Sequence, residues 1–244
     1  MTLQIERSKC NGRQEFIVRS KLALDIAVNA QHFDPCYLRA NKLVQNTRSG
    51  RGSVYFFPID DTQVVLRHYR RGGLAAKISQ DKFFGSDIKS SRVYQELKLL
   101  MYLQEQGLPV PHPIAGRVVQ EHLFYTADII TQAIADTEEL HMYLQYQALP
   151  SHKWQELGKI VKKMHSMGVC HDDLNVKNVL VDKHLSMYLI DFDKCYIRKG
   201  ESWKTDNLSR FRRSLDKHKN KLGVHYHFDP LHWSSFIEGY HATL

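Results

Sequence analysis

Hydrophobic and polar positions change their period partway along the chain. In the first third, apolar residues fall in short runs rich in β-branched and aromatic side chains. Residues 16–18, 53–57 (SVYFF) and 62–69 (TQVVLRHY) read as strands, and the turn-prone pair Asp60-Asp61 between the last two predicts an antiparallel hairpin. Over residues 90–106 the period becomes helical, with Val93, Leu97, Leu100, Met101 and Leu103 on one face and Gly107 as the stop. The following LPVPHP places prolines at 109, 111 and 113, which rules out helix there. Residues 123–130 predict another strand, and 132–136 a link. Ser151 is then the expected N-cap of a helix with Trp154, Leu157, Ile160, Val161 and Met164 on one face, stopped by Gly168. Short strands are expected at 179–181 and 187–190, followed by a mostly helical, polar tail. A strand-rich front and a helix-rich back predict an α+β protein of two lobes: residues 1–131, strand-rich with one main helix, and residues 132–244, helical.

Composition narrows this picture only slightly. The 244 residues are 43% hydrophobic and 25% charged, as expected of a soluble globular chain. Cys10, Cys36, Cys170 and Cys195 are scattered without a C-x-x-C pair, which indicates neither a disulfide framework nor a zinc site and fits a reducing compartment. The opening MTLQIERSK has no apolar core of the signal-peptide kind, and no stretch approaches the roughly 18 uncharged apolar residues of a spanning helix. A cytoplasmic location is therefore expected, with a membrane surface still open to it. The net charge of +8 suggests a polyanionic partner, or simply a solvated excess. Residues 194–221 concentrate it, with ten Lys or Arg against three acids. Within them Leu208, Phe211 and Leu215 share one helical face beside Arg210, Arg212 and Arg213, either core packing with a solvated back or a grip on anionic lipid. Trp203 is expected to pack, with interfacial anchoring as its other reading.

The chemistry is concentrated in HDDLNVKN, residues 171–178, followed thirteen residues later by Asp191-Phe192-Asp193. Phosphoryl transfer asks for a group that accepts a hydroxyl proton and for oxygen ligands that hold magnesium against phosphates. Asp173, on a loop just after a helix, suits the first role. Asn178, five residues on, offers a neutral amide oxygen, and Asp191 ends an apolar strand that aims its carboxylate. Asp and Asn clusters are ordinarily turn residues, but here a preceding helix, a five-residue spacing and a strand-terminal carboxylate coincide. The segment resembles the protein-kinase catalytic loop H-R-D-L-x-x-x-N followed by D-F-G. That resemblance implies a eukaryotic protein-kinase-like two-lobed fold, ATP and Mg as cofactors, and catalytic roles for Asp173 and Lys177, the latter balancing charge on the transferring group. Asp172 replaces the usual Arg, Asp193 replaces the Gly of DFG, and no A-P-E follows. Control by a phosphorylated loop and docking of a peptide are therefore not expected.

Upstream, Ser49-Gly50-Arg51-Gly52-Ser53 precedes a strand, so Gly50 and Gly52 are candidates to cradle phosphates, with a plain turn as the alternative. The V-A-I-K position of kinases falls on Val64-Val65-Leu66-Arg67, making Arg67 the candidate phosphate cation. Arg70, Arg71 and Lys77 stand as alternatives. Glu96, in the 90–106 helix, is the candidate partner of that cation, or else a solvated helix residue.

Taken together, VLRHYRRGGLAAKI, YQELKLLMYLQEQGLPVPHPIAG, HDDLNVKNVLVD, LIDFDK and NLSRFRRSLDK resemble the bacterial 3-deoxy-D-manno-octulosonic acid (Kdo) kinases of the lipopolysaccharide kinase family, from about residue 46 to 221. The resemblance implies ATP-dependent phosphorylation of the 4-hydroxyl of a Kdo sugar on a lipid A precursor. It also implies a peripheral place at the cytoplasmic face of the Gram-negative inner membrane, against an anionic surface. Other readings are a kinase of core heptose, of a small molecule such as an aminoglycoside, or of protein, and a nucleotide-binding pseudokinase scaffold. Nucleic acid is not an expected partner, because no motif or aromatic stacking pattern accompanies the positive charge.

Overall fold

The computed structural model of the protein describes residues 3–10, 13–49, 53–70 and 81–243. The chain folds as two compact units, residues 1–102 with 111–133, and residues 103–110 with 134–244.

The first unit is built on antiparallel strands β1 (Leu3–Cys10), β2 (Arg13–Ser20), β3 (Asn46–Ser49), β4 (Ser53–Ile59), β5 (Thr62–His68), β6 (Phe83–Phe84), β7 (Pro113–Glu121) and β8 (Phe124–Gln132). Their order is β1-β2-β7-β8-β5-β4-β3, with β6 on β8. The hairpin expected around Asp60-Asp61 is β4–β5, which pairs Ile59 with Thr62. Prolines hide β7 in the sequence; Pro113 stands at its first position, where a missing N–H costs no ladder bond.

Strand alternation decides which side chains meet which layer. Val64 and Leu66 of β5 face the cluster formed by Phe33, Leu38, Tyr55, Phe57 and Ile130, closed by helix α1 (Pro35–Ala40) and the segment before it. The opposite face carries Arg67 and Tyr69 towards helix α2 (Arg92–Glu105). α2 lies so close to the sheet that a Cβ on Gly116 of β7 would fall 2.2 Å from Val93 Cγ2.

The second unit contains helices α3 (Leu140–Tyr143), α4 (Ser151–Ser166), α5 (Ser202–Leu222) and α6 (Pro230–His241). It also holds a small sheet in the order β12 (Met187–Leu189), β11 (Val179–Asp182), β9 (Thr137–Glu139), and the pair β10 (Val169–Cys170) with β13 (Tyr196–Ile197). Ser151 is not the N-cap of α4. Pro150 is, because its carbonyl accepts from Lys153 and Trp154, so Ser151 is the first helical residue. α4 and α6 touch backbone to backbone: a Cβ on Gly158 would sit 2.1 Å from Phe236 O, and one on Gly239 2.0 Å from Gln155 O. The core gathers Trp154, Leu157, Val161, Met164, Trp203, Phe211, Leu215 and Phe236, all essentially without solvent contact. Trp203 belongs to this interior, its indole N–H donating to Gly200 O at 2.7 Å. Leu208 is only half-buried, while Phe211 and Leu215 fill the apolar face expected of α5.

Candidate active site

Gly168, at φ +74°, ends α4 in the left-handed conformation that favours glycine, and β10 then leads into the HDDLNVKN loop. His171 is buried, its ring 4.9 Å from Phe192. Burial holds its pKa down, so the ring is neutral, and Nε2–H donates to Ile190 O at 3.0 Å. Asp173 follows, half-exposed. Its carbonyl oxygen accepts from Asn175 Nδ2 and Asn178 Nδ2, both at 2.9 Å. With its nitrogen committed in this way, Asn178 turns its amide oxygen elsewhere.

The second segment is stitched to the first through backbone. Ile190 N–H donates to Asn178 O at 3.0 Å, and the His171 ring holds Ile190 O. Asp191 comes next, half-buried and at φ +63°. For a non-glycine residue that conformation is uncommon, least so for Asp and Asn, and it swings the chain sharply away from β12. Asp173, Asn178 and Asp191 therefore stand on two segments joined directly at Asn178–Ile190 and His171–Ile190. Among the described residues no group of three or more His, Cys, Asp or Glu side chains is placed to hold a metal ion. The amide oxygen of Asn178 and the carboxylate of Asp191 are hard donors too few for a closed cage; a cation held by them would complete its shell with water and phosphate oxygens.

Sequence reasoning missed what holds this loop from behind. Asn207 of α5 is buried; its Oδ1 accepts from His171 N–H at 3.2 Å and from His165 Nε2 at 3.3 Å, and its Nδ2 donates to His171 O at 2.9 Å. His165, on α4, also meets the Tyr240 hydroxyl at 2.9 Å and the edge of Trp203. Burial pushes its pKa down to about 4. Further along α5, Ser214 Oγ accepts from Val176 N–H at 3.0 Å, and Arg210 lies 3.4 Å from Asp173 Oδ1. Only a fold could have revealed these partners, because they lie 36 to 38 residues from the loop positions they touch.

In the first unit Arg67 and Glu96 come together, as the sequence suggested. Arg67 Nη2 lies 2.6 and 2.8 Å from the two carboxylate oxygens, Tyr69 OH donates to Oε2 at 2.5 Å, and the guanidinium covers the Tyr69 ring at 4.8 Å. Glu96 is 4% exposed, so this is a desolvated pair. Arg70 is exposed. Gly50, Gly52, Arg71 and Lys77 lie outside the described residues. Lys177 is exposed beside the loop, its N–H bonded to Asn175 Oδ1 at 2.9 Å.

Residues 39–240 match the model of the lipopolysaccharide kinase (Kdo/WaaP) family. The chain is 38% identical to a 3-deoxy-D-manno-octulosonic acid kinase of Vibrio vulnificus (strain CMCP6), over 98% of this chain and 97% of that protein. Similar relatives bearing the same name occur in Photobacterium profundum, 39% identical over 85% and 87% of the two chains, and in Haemophilus influenzae (strain PittGG), 35% identical over 93% and 96%.

Proposed function

Since the chain belongs to the lipopolysaccharide kinase (Kdo/WaaP) family, we propose that it transfers the γ-phosphoryl group of ATP to the 4-hydroxyl of a Kdo sugar on a lipid A precursor. The two units then correspond to the strand-rich and helical lobes of a eukaryotic protein-kinase-like fold. What supports the reading most directly is the stitching of Asp173, Asn178 and Asp191 onto two cross-linked backbone segments, in a chain whose full-length relatives carry the Kdo kinase name.

Asp173 orients the sugar hydroxyl and takes its proton as the bond to phosphorus forms. Arg210, at its carboxylate, limits the rotamers open to it. Asn178 and Asp191 would hold magnesium, which would supply charge neutralisation for the nucleotide phosphates. Lys177, whose ammonium has three donors, balances charge on the transferring group and keeps donors for a neighbouring anion. Arg67, locked by Glu96, presents a fixed cation for nucleotide phosphate. Among the described residues no helix is long and apolar enough to cross a membrane. The net charge of +8 supports peripheral attachment at the anionic cytoplasmic face of the inner membrane, where such a lipid acceptor lies.

The test is transfer of labelled γ-phosphate from Mg-ATP to a Kdo-bearing lipid A precursor by purified protein. Asp173→Asn should lower kcat by about 10²–10⁴-fold while nucleotide still binds. Full activity in that variant removes Asp173 from its role, and transfer only to a heptosylated core moves the acceptor to another sugar.

A further inference from the structure

Beside the loop that bears Asp173, Lys177, Lys217 and Lys221 have no ion-pair partner among the described residues. α3 and α5 both pack against the turn at residues 176–178. There the His141 ring of α3 stacks on the His218 ring of α5, centroids 3.8 Å apart and planes inclined by 37°. Tyr226 closes the other side, 5.7 Å from His141 and 6.0 Å from His218. His141 is buried and held by its neighbours: Gln145 Nε2 lies 3.5 Å from its Nε2 and the Tyr226 hydroxyl 3.5 Å from its Nδ1. His218 is only half-buried, and among the described residues neither of its ring nitrogens has a hydrogen-bond partner.

Positive groups surround this stack. Burial lowers the pKa of both rings, and charged neighbours lower it further: His218, Lys177 and Lys221 for His141, and Lys177, Lys217 and Lys221 for His218. Among the described residues no carboxylate lies within ion-pair distance of either ring. Among the described residues no acid lies within ion-pair distance of Lys177, Lys217 or Lys221. Other cations of α5 are committed instead, Lys204 to Glu201, Arg212 to Asp216 and Lys219 to the carbonyl of Tyr226. Gathering Lys177, Lys221 and an unpartnered imidazole raises the local potential at a cost that an incoming anion would offset.

We infer that Lys177, His218 and Lys221 form a binding site for a compact oxyanion, the carboxylate or a phosphate group carried by the acceptor. His141, Gln145 and Tyr226 back the His218 ring and fix its plane. This deepens the kinase reading and rests on it for the identity of the acceptor, since a Kdo sugar carries a carboxylate and lipid A carries phosphates. An oxyanion seated here anchors the acceptor beside the loop that bears Asp173. A ring nitrogen of His218 donates to it, and the two ammonium groups supply charge-assisted bonds.

The test reads binding and turnover separately. The histidine ring resonances of the full chain are followed during titration with inorganic phosphate, and separately with free Kdo, against chloride at equal ionic strength. The His218 resonances should move saturably towards the protonated position, and Lys221→Gln should weaken this about tenfold. In turnover, His218→Gln should raise the KM for the lipid acceptor about tenfold, with a smaller change in kcat and in the KM for ATP. A response to phosphate but not to the sugar acid supports the site and assigns its occupant as a phosphate group; the reverse assigns the carboxylate. Movement of His218 without transfer to any Kdo lipid still supports the anion site and removes only the acceptor assignment. If His218 responds to neither anion beyond the chloride control, the site is overturned, whatever the kinase activity.

Discussion

Replacing Asn207 by leucine keeps the side-chain volume roughly constant while removing its polar end. The structure sets the cost. Asn207 serves the N–H of His171 at 3.2 Å, the carbonyl of His171 at 2.9 Å and the ring of His165 at 3.3 Å. All three residues are buried, so water does not take over when the amide is gone. Each orphaned group costs on the order of 1–3 kcal/mol. With some relaxation, the variant should lose about 4 kcal/mol of stability in the second unit. The assay follows from where the fluorophores lie. The three tryptophans, Trp154, Trp203 and Trp233, all belong to that unit, and Trp203 meets His165 edge to face at 5.0 Å. Tryptophan emission in a urea titration therefore reports the affected part directly, and the midpoint should fall with little change in slope. Asn207→Asp keeps the acceptor role but turns an oxygen towards His171 O; its loss should be smaller, and the pKa of His165 should rise from about 4 because a carboxylate then faces it. A loss below about 1 kcal/mol in the leucine variant would show that this side chain does not hold the loop.

Arg67→Met should cost on the order of 3 kcal/mol, because it removes the guanidinium that offsets the charge of Glu96, a carboxylate only 4% exposed, and leaves the Tyr69 hydroxyl bond in place; circular dichroism melts check this, and a neutral result refutes the pairing as a structural element. Gly239→Ala drives a methyl group to within 2.0 Å of Gln155 O and should cost about 1–3 kcal/mol or more by prising α6 from α4, read from the urea midpoint. The second unit should weaken as the pH falls. His165 has a folded pKa of about 4 against roughly 6.5 in the unfolded chain, so its contribution is complete above pH ~6.5 and is lost towards pH ~4, about 3 kcal/mol in all. A tryptophan-detected midpoint that stays flat over that range counts against a neutral buried His165. His68, in the first unit, has the opposite sign. Its hydrogen bond to Asp128, 2.6 Å long, raises its pKa, so its contribution is present below the unfolded value and is lost as the pH rises through the folded one.

Much of the candidate catalytic loop is legible in the sequence because its parts are local. A helix stop at Gly168, a loop of fixed length and an apolar strand ending at Asp191 are consecutive features, and periodicity finds them. The Arg67–Glu96 pair is legible for a different reason, since strand alternation and helix register each offer few candidates. Elements that break local rules stay hidden. β7 opens on Pro113 after two earlier prolines, and β1 is an exposed edge strand with no alternation, its Glu6, Arg7 and Ser8 being consecutive polar residues. Nor is the N-cap at Pro150 visible, because a backbone carbonyl, not the neighbouring serine side chain, begins α4.

The most instructive omission concerns α5. Phe211 and Leu215 pack into the core, as one of the two sequence readings has it, while the remaining faces read as solvated or lipid-facing. Yet Asn207, Arg210, Ser214, His218 and Lys221 follow one another at intervals of three or four, which places them on a single stripe of the helix. That stripe runs along the loop: Asn207 meets His171, Arg210 meets Asp173, Ser214 meets Val176, and the charge of Lys177 lowers the pKa of His218. The lengths agree. Eleven helical residues from Asn207 to His218 rise roughly 16 Å, and six loop residues from His171 to Lys177 reach at most about 20 Å. A loop laid along one helix can be pinned at successive points, and the pins must be polar because a loop offers unpaired backbone groups where a strand or helix offers none. The spacing of apolar residues marks only the side of α5 that faces the core. The side that positions Asp173 is polar for a structural reason, and a sequence read for amphipathicity assigns it to solvent.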